Sequence, residues 1–319
     1  LNHSEEQRQI LDAAAALLEE NYPVARAPGE DSRQIGKLAE FGAFALALDE
    51  AHGGAGFTLV EEVLLHVLFG RHNLSTTALA APVAARIAIE VGKVDLAREI
   101  AAGQTIVCAG TTVGGKLRLA DATGASLAVV FDRRRLELVD IAAADGEIMT
   151  GLGHGVGMTE MPAEAAARIG ASNSASILDT ADLLVSAQLL GIAEATRDLA
   201  VSYAGMRRQF GKPIGAFQAI KHHCADMAIS AEMLSAQIDM AALAVRNGRE
   251  DGAFQTAAAR LLAPRVALAN ARQCIQVHGG IGFSEEAHAH RFLKQAHLLR
   301  QLGGGAAMLD LASPMAPHG

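Results

Sequence analysis

The chain has 319 residues, half of them apolar, with aromatics at only 4% and no tryptophan. A core built from Ala, Leu, Val and Ile favours helix over strand, because Ala and Leu lose little rotamer freedom in a helix. The formal charge of −8 argues against a nucleic-acid partner, and no apolar run reaches the ~18 residues that span a bilayer.

The length predicts two or three domains, or one large helical domain with an insert. The first residues, LNHSEEQRQI, have neither the basic flank nor the apolar stretch of a signal peptide. Cys108, Cys224 and Cys274 are widely spaced and odd in number, which predicts reduced thiols in a cytoplasm.

Residues 1 to 100 read as a helical domain. Ser4-Glu5-Glu6-Gln7 is a capping-box pattern, followed at helical spacing by Ile10, Ala14, Leu17 and Leu18. Thr58 to Glu61 is a second such box, with Val63, Leu64, Val67 and Leu68 behind it. The stretch His52-Gly53-Gly54-Ala55-Gly56 between them predicts a hinge-like loop.

A small β domain is expected over 101–172, its strands falling between 104 and 142. Thr105–Cys108, Lys116–Leu119, Leu127–Phe131 and Leu136–Val139 are short, partly alternating runs that would place one face against a core. Gly151 to Gly157 is glycine-rich but lacks G-x-G-x-x-G spacing and a preceding strand, which argues against a nicotinamide enzyme.

From 173 onward the chain reads as a long-helix bundle. A helix is expected from about 181 to 205, with Asp179 as its N-cap. A second carries Ile220, Cys224, Met227, Ala231, Leu234, Ile238, Ala241 and Val245 as one apolar stripe. A third, from about 253 to 277, is expected to bend at Pro264. From Ser172 onward, 13 Lys/Arg face 12 Asp/Glu, so this part is net +1 and the remainder −9. An anionic ligand would therefore bind more easily in the bundle.

Two motifs in the bundle go further. Arg207-Arg208-Gln209-Phe210-Gly211-Lys212-Pro213-Ile214, with Phe217-Gln218 after it, resembles the RxxFGxxI…Q signature of the acyl-CoA dehydrogenase family. Gln276-Val277-His278-Gly279-Gly280-Ile281-Gly282 resembles that family's Q-x-x-GG-x-G element, and His52 to Phe57 its N-terminal GGxG loop. With the order helices, sheet, bundle, the resemblance covers nearly the whole chain. It implies FAD-dependent α,β-dehydrogenation of an acyl-CoA thioester, in which the elbow and the Gly-Gly element reach FAD held mainly by a neighbouring subunit. Arg207 would then grip pyrophosphate as a charge-assisted fork. Gly279 and Gly280 would let backbone N–H groups approach phosphate or ribose oxygens, and Gln209 or Gln276 would meet a polar edge. The alternative is that Arg207 and Arg208 cap the preceding helix and the glycines end the next one.

The chain departs from the family pattern where a catalytic glutamate belongs. The two positions where the resemblance places that Glu are Gly303 and Ala181. Asp182 is the nearest carboxylate. It is either a base or an N-terminal residue that favours the helix dipole. His278 and the group Glu285, Glu286, His288, His290 are alternative bases or ligands. His288 and His290, two apart, are poor ligand geometry and read as a solvated helix face. The family's hydroxyl-rich stretch over the flavin corresponds to Cys108–Gly115, where Thr111 or Thr112 could offer a hydroxyl. The positions that would finish an adenine pocket fall near Gly305 and Ala307.

The resemblance thus implies a base-lacking subunit that completes a partner's FAD site, similar to those of α2β2 assemblies. The alternatives are a self-sufficient homo-oligomeric flavoenzyme using Asp182, or a non-catalytic scaffold. No metal site is expected.

Overall fold

Two capping boxes set where the first helices begin. The computed structural model describes residues 3–24, 30–132, 135–143, 146–149 and 157–302. Helix α1 (Glu5–Asn21) starts where the Ser4 hydroxyl accepts from the Gln7 N–H and the Gln7 side chain accepts from the Ser4 N–H. Thr58 and Glu61 do the same for α3 (Leu59–Arg71). With α2 (Glu30–Glu40), α4 (Thr77–Glu90) and α5 (Val94–Ala101) they form the N-terminal helical part.

The glycine loop before α3 is not a hinge. Backbone N–H groups of Gly54, Ala55, Gly56 and Phe57 donate to carbonyls of Asp49, Ala45, Leu48 and Leu46. A Cβ on Gly54 would lie 1.9 Å from the Leu48 carbonyl oxygen. Gly54 serves close backbone approach rather than motion, while Gly53 and Gly56 take the left-handed backbone of the turn, φ 84° and 69°.

The sheet runs further than the sequence suggests, from β1 (Val107–Val113) through β2 (Lys116–Ala120), β3 (Leu127–Asp132), β4 (Arg135–Asp140), β5 (Glu147–Met149) and β6 (Met158–Pro162) to β7 (Ala167–Ser172). Its order is β5-β6-β2-β1-β3-β4-β7, with β1 and β3 parallel and the other pairs antiparallel. The last three strands escaped notice because segments such as MTEMP and ARIGAS carry little apolar alternation. Nor is only one face buried. Val107, Ala109, Val129 and Leu138 join the main core, while the intervening Cys108, Ala128, Val130 and Val139 form a second one.

The bundle consists of α6 (Ala175–Met206), α7 (Gln218–Arg246), α8 (Gly252–His278) and α9 (Ala289–Gln301). Helix α6 begins at Ala175, not at 181. Ser172, which ends β7, accepts from the Ser174 N–H in the tight turn that launches it. No breaker follows, so the helix forms at once and Asp179 lies inside it. The stripe on α7 buries Met227, Ala231, Leu234, Ile238 and Ala241, while Ile220, Cys224 and Val245 at its ends are half-buried. Helix α8 runs through Pro264.

By length and composition α6 and α7 pass as membrane spans, which the sequence pattern had not suggested. However, 67% of the α6 window is buried inside the fold against 33% for α7. Helix α6 is the centre of the bundle; α7 keeps an apolar outer face, with Ile229, Met233 and Met240 exposed.

Helix α6 packs on α3 with their backbones nearly touching. A Cβ on Gly191 would fall 2.0 Å from the Val67 carbonyl oxygen, and one on Gly70 2.0 Å from that of Gln188. Only glycine fits either side of such a crossing. We therefore predict that Gly191→Ala lowers unfolding free energy by about 3 kcal/mol through overpacking. Gly205→Ala, in open space on the same helix, should raise it by about 0.5 kcal/mol. Urea unfolding of the two variants checks both signs.

Candidate functional site

Helix α6 ends at Met206, where the Arg207 N–H donates to the Tyr203 carbonyl. The chain then makes a two-residue hairpin, β8 (Arg208–Gln209) against β9 (Lys212–Pro213). Its central residues, Phe210 and Gly211, have φ of 50° and 79°, as the twist of a tight hairpin requires. A bulky residue in this left-handed region is strained. The Phe210 side chain is nevertheless 90% exposed, its ring edge-on to Phe217 with centroids 6.1 Å apart. Lys212 lies 4.3 Å above the Phe217 ring centre.

The Arg208 side chain closes this hairpin, donating to the Gly211 carbonyl at 3.0 Å. It does not cap α6. The Arg207 side chain is exposed, and among the described residues no hydrogen bond or ion pair engages it. Gln209 is exposed as well. The elbow thus displays a cation, an amide and an aromatic ring to the outside.

The Gly-Gly element lies at the same end of the bundle. Helix α8 stops at Gly279, φ 66°, and a 3-10 turn over Gly279–Phe283 follows. The Tyr203 ring of α6 stacks on His278 of α8, centroids 4.2 Å apart. Ile214 of the elbow packs on a cluster containing Ile275 and Val277. The His278 Nδ1 is 2.7 Å from the Cys274 carbonyl. Such a bond needs the proton on Nδ1. Gln276, Gly279 and Gly280 are exposed, and a Cβ at either glycine would meet nothing within 4 Å. At Gly280, then, nothing in this chain's own packing demands a glycine. The groups displayed suit a dinucleotide: a guanidinium that no described residue engages for pyrophosphate, glycines with no Cβ in the way of phosphate or ribose, and an aromatic surface beside them.

The expected base positions look different. Ala181 is 2% exposed and belongs to the main core; Gly303 lies outside the described residues. Asp182 is not in the first turn of α6, because the helix starts seven residues earlier. Its Oδ1 accepts from the Arg260 Nε at 3.3 Å. Arg260, buried in α8, also donates through Nη2 to the carbonyls of Leu299, Arg300 and Leu302 at the end of α9. This contact commits Asp182 to holding Arg260. Asp182 and Arg260 together tie α6, α8 and the last turn of α9. Sequence reading missed Arg260. Its one signal is a lone arginine inside the apolar run TAAARLLA.

His288 and His290 are half-buried rather than solvated, each with an Nδ1 that lacks a partner among the described residues. Among those residues no three His, Cys, Asp or Glu side chains come together as metal ligands. Thr111 is half-buried and lines a crevice between the sheet and α9, whereas Thr112 is exposed. The crevice measures about 250 Å³. That is below the ~300–1,000 Å³ of sites for drug-sized ligands, so it does not enclose a dinucleotide.

The class of chain is a helical bundle with an inserted sheet and an exposed cationic and aromatic elbow at one end. The comparisons are specific. The acyl-CoA dehydrogenase N-terminal domain matches residues 4–102 and the C-terminal domain residues 170–311. Acyl-CoA dehydrogenase IpdE2 of Mycobacterium tuberculosis is 30% identical over 82% of this chain and 79% of its own length. Acyl-CoA dehydrogenase FadE34 of the same organism is 43% identical over 133 residues, but the match spans only 18% of that protein. Among solved structures, the Tcur3481-Tcur3483 steroid ACAD has a TM-score of 0.78 at 25% identity, covering 97% of this chain and 96% of its own. The ChsE4-ChsE5 complex from Mycobacterium tuberculosis has the same fold, with a TM-score of 0.79 at 21% identity and 99% of each chain covered. The chain belongs to the acyl-CoA dehydrogenase family, whose members are FAD-dependent oxidoreductases acting on CH–CH bonds.

The Asp182 charge has a measurable neighbour. Burial, and second the Asp182 charge, push Asp179 up to about 6 from 3.8. A carboxyl raised on folding favours the folded state below its unfolded pKa and loses that contribution as pH rises through its folded value. Asp179→Asn should therefore stabilise the protein by about 1–2 kcal/mol at pH 7.5, discounting the full shift for partial solvation. The difference should fade towards pH 4. Chemical denaturation across that range checks it.

Proposed function

We propose that this chain is one subunit of a hetero-oligomeric acyl-CoA dehydrogenase, in which it completes an FAD site housed mainly in its partner. The elbow carries the reading: an unengaged Arg207 and a strained, exposed Phe210 stand at the bundle end that also holds Gly279 and Gly280. Alanine and glycine occupy the two expected base positions of the same chain. In this reading Arg207 binds pyrophosphate oxygens, Phe210 covers an apolar part of the cofactor, and Gln209 and Gln276 hydrogen-bond its polar edges. Gly279 and Gly280 admit it without a Cβ in the way. When bound, FAD supplies the hydride acceptor for α,β-dehydrogenation of an acyl-CoA thioester. A partner carboxylate removes the α-proton, since Asp182 is occupied by Arg260.

Two further observations support an obligate assembly. The neighbour Tcur3481-Tcur3483 is named as a two-component steroid ACAD and ChsE4-ChsE5 as a complex, and α7 keeps an exposed apolar face. An α2β2 arrangement of chains organised as 1–100, 101–172 and 173–319 accommodates both. Its compartment is the cytoplasm, where Cys108, Cys224 and Cys274 remain free thiols. Neither nucleic acid nor membrane enters the reading.

The chain purified alone should be colourless, and should yield a yellow complex when co-expressed with a base-bearing acyl-CoA dehydrogenase subunit. Arg207→Ala should weaken FAD retention in that complex about 10- to 100-fold, the worth of lost charge-assisted hydrogen bonds. Flavin in the lone chain, bleached by an acyl-CoA, would instead establish a self-sufficient homomeric enzyme.

A further inference from the structure

Helices α7 and α8 turn a common apolar strip outward. Ile229, Met233 and Met240 of α7 and Phe254 and Leu262 of α8 stand on it, each at least 36% exposed. Ser230 bonds Asn270 and Gln237 bonds Gln255 where the two antiparallel helices meet. Helical spacing places the apolar residues beside that seam, on the side away from the buried stripe. A strip of this length left to water marks an interaction surface.

The two helices differ in charge. Between Cys224 and Val245, α7 carries Asp226, Glu232 and Asp239 and no basic residue. Helix α8 contains no Asp or Glu, and its Arg265 and Arg272 are exposed. The pairs Ser230–Asn270 and Gln237–Gln255 set Glu232 level with Arg265 across the seam. The Glu232 side chain is well exposed, its nearest cation, Arg197, 4.0 Å away.

We propose that this strip packs on the same strip of a second copy of this chain, about a two-fold axis parallel to the helices. Each α7 then lies along the other copy's α8, and Glu232 of each copy meets Arg265 of the other. A two-fold axis across the helices would instead lay α7 on α7, acid against acid, so the charges choose between the two arrangements. The strip is ~25 Å long and two helices, or ~20 Å, wide, so that pairing covers roughly 1,000 Å² in total, as a specific interface requires. The pairing goes beyond the proposed function and does not rest on it, since it involves neither flavin nor a base-bearing subunit.

Sedimentation velocity of the chain alone, across a wide concentration range, should show a monomer–dimer equilibrium. Glu232→Arg or Arg265→Glu should each weaken the dimer about tenfold, because every substitution turns two attractive pairs repulsive. Combining them should restore it to within about threefold of wild type. Met233→Asp, placing a charge in the apolar strip, should leave the chain monomeric. All three sites are exposed in the single chain, and matching circular dichroism spectra establish that the variants fold. A wild-type chain that stays monomeric at every concentration would overturn the proposal, as it would if only a base-bearing subunit covered the strip. So would a double reversal that restores nothing, or a dimer indifferent to Met233→Asp. A flavin site that fails its own test leaves these results unchanged.

Discussion

The close crossing of α6 over α3 is the constraint on which the rest depends. Gly70 and Gly191 let the two backbones meet at a distance no side chain permits. This fixes a 32-residue helix along the middle of the molecule. Everything of functional interest is then set by position along α6. Its early turns carry Asp182, which with Arg260 secures the end of α9. Its last turn carries Tyr203, which meets His278 and brings the elbow to the glycine end of α8. A rigid central rod thus links the N-terminal helices to the surface at its own C-terminal end.

At that surface the local rules of folding are broken. Phenylalanine in left-handed backbone, turned almost wholly to solvent, gains only an edge-on contact with Phe217 to offset its strain. The same holds for the arginine beside it, which no described residue pairs, and for a Gly280 that its own surroundings do not require. Such features stand together where a site is completed by something else. The interior tells the opposite story. Ala181 is packed away and Asp182 is consumed by an arginine, so the region where a base would stand serves stability. The proposed role, a chain that contributes to a cofactor site without carrying its own base, reconciles the two.

Much of this was legible in sequence because it rests on local chemistry. Capping boxes at Ser4 and Thr58 need only four residues each, and the α7 stripe is a repeat of threes and fours. The elbow and Gly-Gly motifs are short and contiguous. What escaped depends on contacts between distant segments. Strands β5 to β7 are ordered by the sheet they join, not by their own alternation. Asp179 looked like a cap because nothing nearby announces that the turn at Ser172 starts the helix earlier. The role of Asp182 was hidden for the same reason, since Arg260 lies 78 residues away. The glycines of the 53–56 loop read as a hinge, yet Gly54 serves a close approach to Leu48 that only the folded chain reveals.

The most direct measurement is photolabelling of the assembled complex with a photoreactive FAD analogue, followed by mapping of adducts on both chains. The account predicts adducts in this chain confined to 207–217 and 276–283, with the remaining label on the partner. Adducts along β1, β2 and α9 of this chain, or none on its elbow, would contradict it.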